Sequence, residues 1–210
     1  MHVTGNGNVT ASLMFRGYLI NCLARTIVRS TGLTGQLERN DMNRFILDNT
    51  PDGIAQAMCD KHVVKMPLEE AQMLSTVVRQ LDPEYADKHG LYRVAHKNHP
   101  CTLWAGMSRL NYNFSFNLFV SMLDEYTYRY GKTHASSRLL PALADAIVLL
   151  PETDRTAHPE CFGDEVHLRS GDWWPVESYR KFYMTKQHRF KMVWTKRDKP
   201  EWFEEKEYAT

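Results

Sequence analysis

Between Asp60 and Glu69 the chain carries Asp60-x-His62, then Lys65, then Glu69 seven positions after the histidine. Seven residues is two turns of an α-helix, so His62 and Glu69 share one face with Lys65 between them. An imidazole, an amine and a carboxylate on one stripe can move protons or form a Schiff base. The spacing predicts a core stripe of Val64, Leu68, Ala71, Ser75 and Val78, and a polar stripe of His62, Lys65, Glu69, Gln72 and Thr76. The bland alternative is the solvated face of an amphipathic helix.

A second chemistry-bearing stretch spans 176–200. Arg180, Lys181, Lys186, Arg189, Lys191, Lys196, Arg197 and Lys199 face only Glu177 and Asp198, a local balance of +6 in a chain whose net charge is +1. Tyr179, Phe182, Tyr183, Phe190 and Trp194 are interleaved with these charges. Cations neutralise phosphates and aromatic faces stack on bases, so the stretch reads as a nucleic-acid surface; a solvated helix with core aromatics is the competing reading.

Metal chemistry is a weaker expectation. His62, His96, His99 and His134, with Glu69 or Glu125, have the right types, but none shows a spacing such as H-E-x-x-H. The four cysteines, Cys22, Cys59, Cys101 and Cys161, make no C-x-x-C pair and read as reduced thiols rather than a disulfide framework. The expectation is no metal and no cofactor.

The elements that must position these residues read as all-α, a compact single-domain helical bundle over 42–210. Met42 opens an organised region: an extended run Arg44–Leu47, a turn over Asp48–Gly53, and a helical pattern Ile54–Leu81 that Pro67 either kinks or divides. Residues 82–100 read as a polar loop. Arg109–Tyr130 is the clearest helix, with Gly131 in the position that stops one. A shorter apolar helix Arg138–Leu150 ends at Pro151, 151–175 read as a loop, and Val176–Thr195 returns to a helical pattern. Residues 1–41 differ: they hold no acid before Glu38, carry Arg16, Arg25 and Arg29, and read as a poorly ordered extension or residues upstream of the working start. No run reaches the roughly 18 apolar residues of a membrane span, so the expected setting is intracellular, in a cytoplasm.

From Met42 onward, the chain resembles the phage-type pyrimidine-dimer DNA glycosylase/AP lyases, the endonuclease V class. Those enzymes begin with Met, a small or polar residue and a short apolar run, then Asp-x-His with a Glu seven residues later, matched here by Asp60, His62 and Glu69. A His-containing loop leads into a long helix ending Arg-Gly-aromatic or close to it, matched by His99-Pro-Cys-Thr-Leu-Trp104 and Arg129-Tyr130-Gly131. The tail motif of a basic residue, Pro, any residue, Trp and an aromatic falls on Lys199-Pro200-Glu201-Trp202-Phe203. The resemblance covers roughly 42–132 and the last dozen residues; 133–198 have no counterpart.

The resemblance implies DNA repair by base excision at damaged pyrimidines. An amine attacks the sugar C1′, displaces the base, and β-elimination through a Schiff base nicks the strand, with Glu69 handling the cationic sugar and the later proton transfers. The amine would belong to Met42 or Asn43 at a processed start, or to Lys65 or Lys61. Two departures stand out: Leu68 and Gln72 occupy positions where the family has Arg. The expected partner is double-stranded DNA, bound by a monomer through the basic stretch and Trp202. The alternatives are a non-catalytic nucleic-acid-binding protein of the same fold and a metal-dependent helical enzyme of nucleotide or base modification.

Overall fold

The structure, a computed structural model, describes residues 43–205, all within one compact unit. Met42 and the expected N-terminal extension lie outside the described residues. Among the described residues, seven α-helices run in chain order: α1 Pro51–Ala57, α2 Asp60–Leu81, α3 Pro83–Lys88, α4 Pro100–Met107, α5 Arg109–Tyr130, α6 Leu140–Asp145 and α7 Val176–Met184. Short 3-10 turns fill the gaps, and no strand occurs among the described residues. The all-α expectation holds. None of these helices is long and apolar enough to cross a membrane.

Two 22-residue helices, α2 and α5, form the spine. Each is about 33 Å long at 1.5 Å per residue. They pack on each other, α1 and α4 pack on α5, and α3 and α4 pack on α2. The bounds of α5 are local chemistry. The Ser108 hydroxyl accepts from Asn111 N at 3.0 Å at one end, and Gly131 takes the left-handed conformation at φ 65° at the other. A serine cap of this kind contributes about 1 kcal/mol.

Helix α2 departs from expectation in phase. Val64 and Leu68 are exposed, whereas Val63, Met66, Met73, Leu74 and Val77 are buried. His62, Glu69, Glu70, Ser75 and Thr76, polar by type, are buried with them. Partners for some of them arrive from elsewhere: the Thr76 hydroxyl, for one, receives Ala95 N at 3.0 Å. The helix also continues through Pro67, which cannot donate to the Val63 carbonyl but is buried where packing holds it. The break falls earlier instead, at Met58 and Cys59, with α1 capped by Thr50.

Three other segments are corrected. Residues 82–100 are not wholly loop, because Asp82 caps α3 by accepting from Tyr85 N at 2.8 Å. The region 138–150 is a 3-10 turn, α6 and a second 3-10 turn rather than one helix. The pattern 176–195 ends as a helix at Met184; a 3-10 turn follows over Thr185–His188, and the residues beyond it are non-helical, with a turn at 195–197. That strap is held from outside. Asp60 N donates to Val193 O at 2.8 Å, Trp194 Nε1 to Ala57 O at 2.9 Å, and Thr195 N to Asp60 Oδ1 at 2.9 Å.

Candidate functional site: the first three turns of α2

The predicted extended run 44–47 lies beside α2. The Phe45 ring sits 4.9 Å from that of His62, while the neighbouring Arg44 reaches Glu70, two turns farther along. Following the chain back from Phe45 therefore follows α2 from its first turn toward its third. Asn43, almost fully buried, then crosses to donate from Nδ2 to Cys161 O at 2.8 Å.

His62 lies in an aromatic box of Phe45, Tyr183 and Phe190. The Tyr183 hydroxyl accepts from Cys59 N at 2.9 Å and lies 2.7 Å from His62 Nδ1. Burial keeps Tyr183 protonated by raising its pKa well above the ordinary value. Burial drives the His62 pKa down to about 3, and Lys65, Lys186 and Lys61 push it further the same way.

Glu69 follows two turns on. Its Oε1 meets Lys65 Nζ at 2.8 Å, with Lys65 half-exposed and Glu69 buried. Its Oε2 is buried with no hydrogen-bond partner. The polar stripe read from the spacing is therefore real in its membership of His62, Lys65 and Glu69, but it faces inward at both ends and outward only at Lys65.

Glu70 belongs to a different constellation. Arg44 Nε donates to Glu70 Oε2 at 3.0 Å and its Nη2 to the other oxygen, both side chains being fully buried. Burial pushes the Glu70 carboxyl upward and Arg44 pulls it back. The Arg44 guanidinium also lies 5.4 Å from the Trp104 ring centroid.

Asp60, the first residue of the candidate motif, is structural. It accepts from Arg129 Nη1 at 2.9 Å and from Thr195 Oγ1 at 2.6 Å. Arg129 also binds Glu125, whose carboxylate takes Arg197 Nη2 at 2.8 Å. The Arg129-Tyr130-Gly131 motif thus ends α5 and clamps α2 at once.

The basic stretch divides. Lys181, Arg189, Lys191, Lys196 and Lys199 are exposed, with Lys199 3.2 Å from Glu205. Lys186 is buried, its Nζ 3.8 Å from the Phe182 ring centroid. Arg180 donates to Leu47 O at 3.0 Å and faces Trp202, and Arg197 holds Glu125. Lys61, outside the stretch, lies 4.3 Å over Phe190 and brings the tail to the His62 end of α2.

The histidines considered for a metal do not come together. His62 is in its aromatic box, and His134 Nε2 lies 3.3 Å from Val64 O. Among the described residues, the group of potential ligands that does assemble is His99, Cys101 and Cys161, their ligand atoms within 4.8 Å of one another. Sequence reading gave the two thiols no joint role, although each follows a His-Pro step: His99-Pro100-Cys101 and His158-Pro159-Glu160-Cys161.

No family model matches this chain, and neither the curated proteins nor the solved structures contain a match to it.

Proposed function

We propose that the chain is a DNA-processing enzyme of the glycosylase/AP lyase type, working through an amine Schiff base at the His62–Glu69 face of α2. The observation that carries this reading is the Glu69 carboxylate. One oxygen contacts an amine, and the other is buried with nothing to bind. An unmet buried acceptor costs about 1–3 kcal/mol, so its retention points to a cationic partner that arrives with substrate. The exposed Lys181, Arg189, Lys191 and Lys196 supply phosphate contacts on the same reading.

In the proposed reaction an amine lone pair forms a bond to C1′ while the C1′–base bond breaks, its electrons leaving with the base, which takes a proton. Ring opening leaves a protonated imine. Glu69 stabilises that cation, then accepts the C2′ proton, and the freed electrons expel the 3′ oxygen with its phosphate. Lys65 Nζ is one candidate amine. The terminal amine of a chain started at Met42 is the other, since residues 43–45 run along this helix.

Borohydride trapping tests the proposal. The full-length chain, a Met42-start chain, Lys65→Ala and Glu69→Gln are incubated with ultraviolet-irradiated and abasic-site duplexes, and covalent protein–DNA bands are scored. A band in both start forms that Lys65→Ala abolishes assigns the lysine. A band confined to the Met42-start chain assigns the terminal amine. DNA binding without a band on either substrate overturns the lyase reading and leaves a binding protein.

A further inference from the structure

We infer that His99, Cys101, His158 and Cys161 form a closed tetrahedral zinc site that fastens the 151–175 loop to the start of α4. The sulfur geometry is the first argument. Cys101 Sγ and Cys161 Sγ are 3.7 Å apart. A disulfide would require about 2.05 Å. Two thiolates bound tetrahedrally at about 2.3 Å from one zinc ion stand about 3.8 Å apart.

His99 presents a ring nitrogen to both sulfurs, within the 4.8 Å span. His158 stands beside Cys101 but outside that group of three, and its ring turns in to supply the fourth ligand. It is 3 % exposed, and both its ring nitrogens are buried without a conventional hydrogen-bond partner. Trp104, Trp174 and Tyr179 wall the ring in edge-on, so it has no route to solvent to satisfy those nitrogens. An imidazole so enclosed, beside two thiols, lacks one thing: a shared electrophile.

The charges agree. A divalent cation displaces one proton from each thiol as it binds. The buried charges then balance, with Arg44 against Glu70 and zinc against two thiolates. Cys101 also stands at the N-terminal end of α4, where the helix favours a thiolate. Two imidazoles and two thiolates in a tetrahedral set select zinc among common cellular metals, and four protein ligands leave no open position for water. The site is structural. Because Cys161 O receives Asn43 Nδ2, the metal also braces the first described residue.

The test uses the full chain purified under reducing conditions without added metal. Elemental analysis is expected to find about one zinc per chain. Exchange with Co2+ should give the intense visible ligand-field bands of a tetrahedral ion and thiolate-to-cobalt charge transfer in the near ultraviolet. Cys161→Ser should lower zinc retention about tenfold or more, with Cys59→Ser unchanged. His158→Gln should weaken the cobalt ligand-field bands. A metal-free chain with two titratable thiols at this locus, a mass two protons lighter from a disulfide, or iron in place of zinc would each overturn the assignment. Since the cobalt spectrum is read on the unmutated chain, misfolding of a variant does not shield the proposal. The readouts are independent of DNA chemistry, so zinc and the lyase reading stand or fall separately.

Discussion

Glu69 and Glu70 are neighbours on one helix, equally charged by type and both buried, yet they serve opposite ends. Glu70 is closed: two hydrogen bonds from Arg44 take both oxygens. Glu69 is open: Lys65 takes one oxygen from the solvent side and the other remains unmet. A one-residue step turns the side chain by about 100° around the helix axis, enough to move it from the packed interior toward the surface edge. The difference separates a carboxylate that holds a fold from one free to act on a ligand.

Breaking the closed member should have the largest effect. Glu70→Ala leaves the fully buried Arg44 guanidinium without its partner, and such a loss costs about 3–5 kcal/mol. Denaturant unfolding would show it as a lower midpoint with the slope unchanged.

Acid attacks the open side through His62. Folded, its pKa is near 3, against 6.5 for the exposed ring. Below pH 6.5 the unfolded chain takes the proton first, so stability present above that pH is lost as pH falls toward 3. By about pH 4 the loss should reach about 3 kcal/mol. His62→Gln should remove that portion of the acid slope, and an unchanged slope would mean that His62 is not held neutral by the fold.

Glu69→Gln sharpens the contrast from the other direction. Stability should change by less than about 1 kcal/mol, because the residue anchors no one but a half-exposed lysine. Strand cleavage should fall by about 100-fold or more. A Glu69→Gln chain that is as destabilised as Glu70→Ala would erase the distinction. Tyr183→Phe should cost about 1–2 kcal/mol of stability, for the hydroxyl that serves both Cys59 N and His62 Nδ1.

What the sequence made legible follows the range of the interactions involved. The bounds of α5 could be read because Ser108 and Gly131 act within a few residues. The membership of His62, Lys65 and Glu69 on one stripe could be read for the same reason. The phase of α2 could not, since Arg44, Tyr183 and Ala95, which make its polar residues fit for burial, lie elsewhere in the chain. The end of α7 was lost likewise: residues 189–199 keep a helical rhythm of aromatics and cations, but Asp60, Ala57 and Glu125 hold them out of a helix. The thiol pair was hidden by a sequence separation of 60. Its only local trace was the repeated His-Pro step, which looks like turn chemistry when either copy is seen alone.

The Asp60 clasp has a consequence in time. Thr195 closes on Asp60 across 135 residues, and the same carboxylate orients Arg129 at the end of α5. During synthesis α1, α2, α4 and α5 are all available to collapse on one another before residue 195 exists. The strap is therefore the last piece to dock, and a contact of such long sequence separation closes slowly. Until it docks, the aromatic wall that Phe190 adds to His62 is missing. A chain made only as far as α5 therefore has its helical spine without that wall around His62.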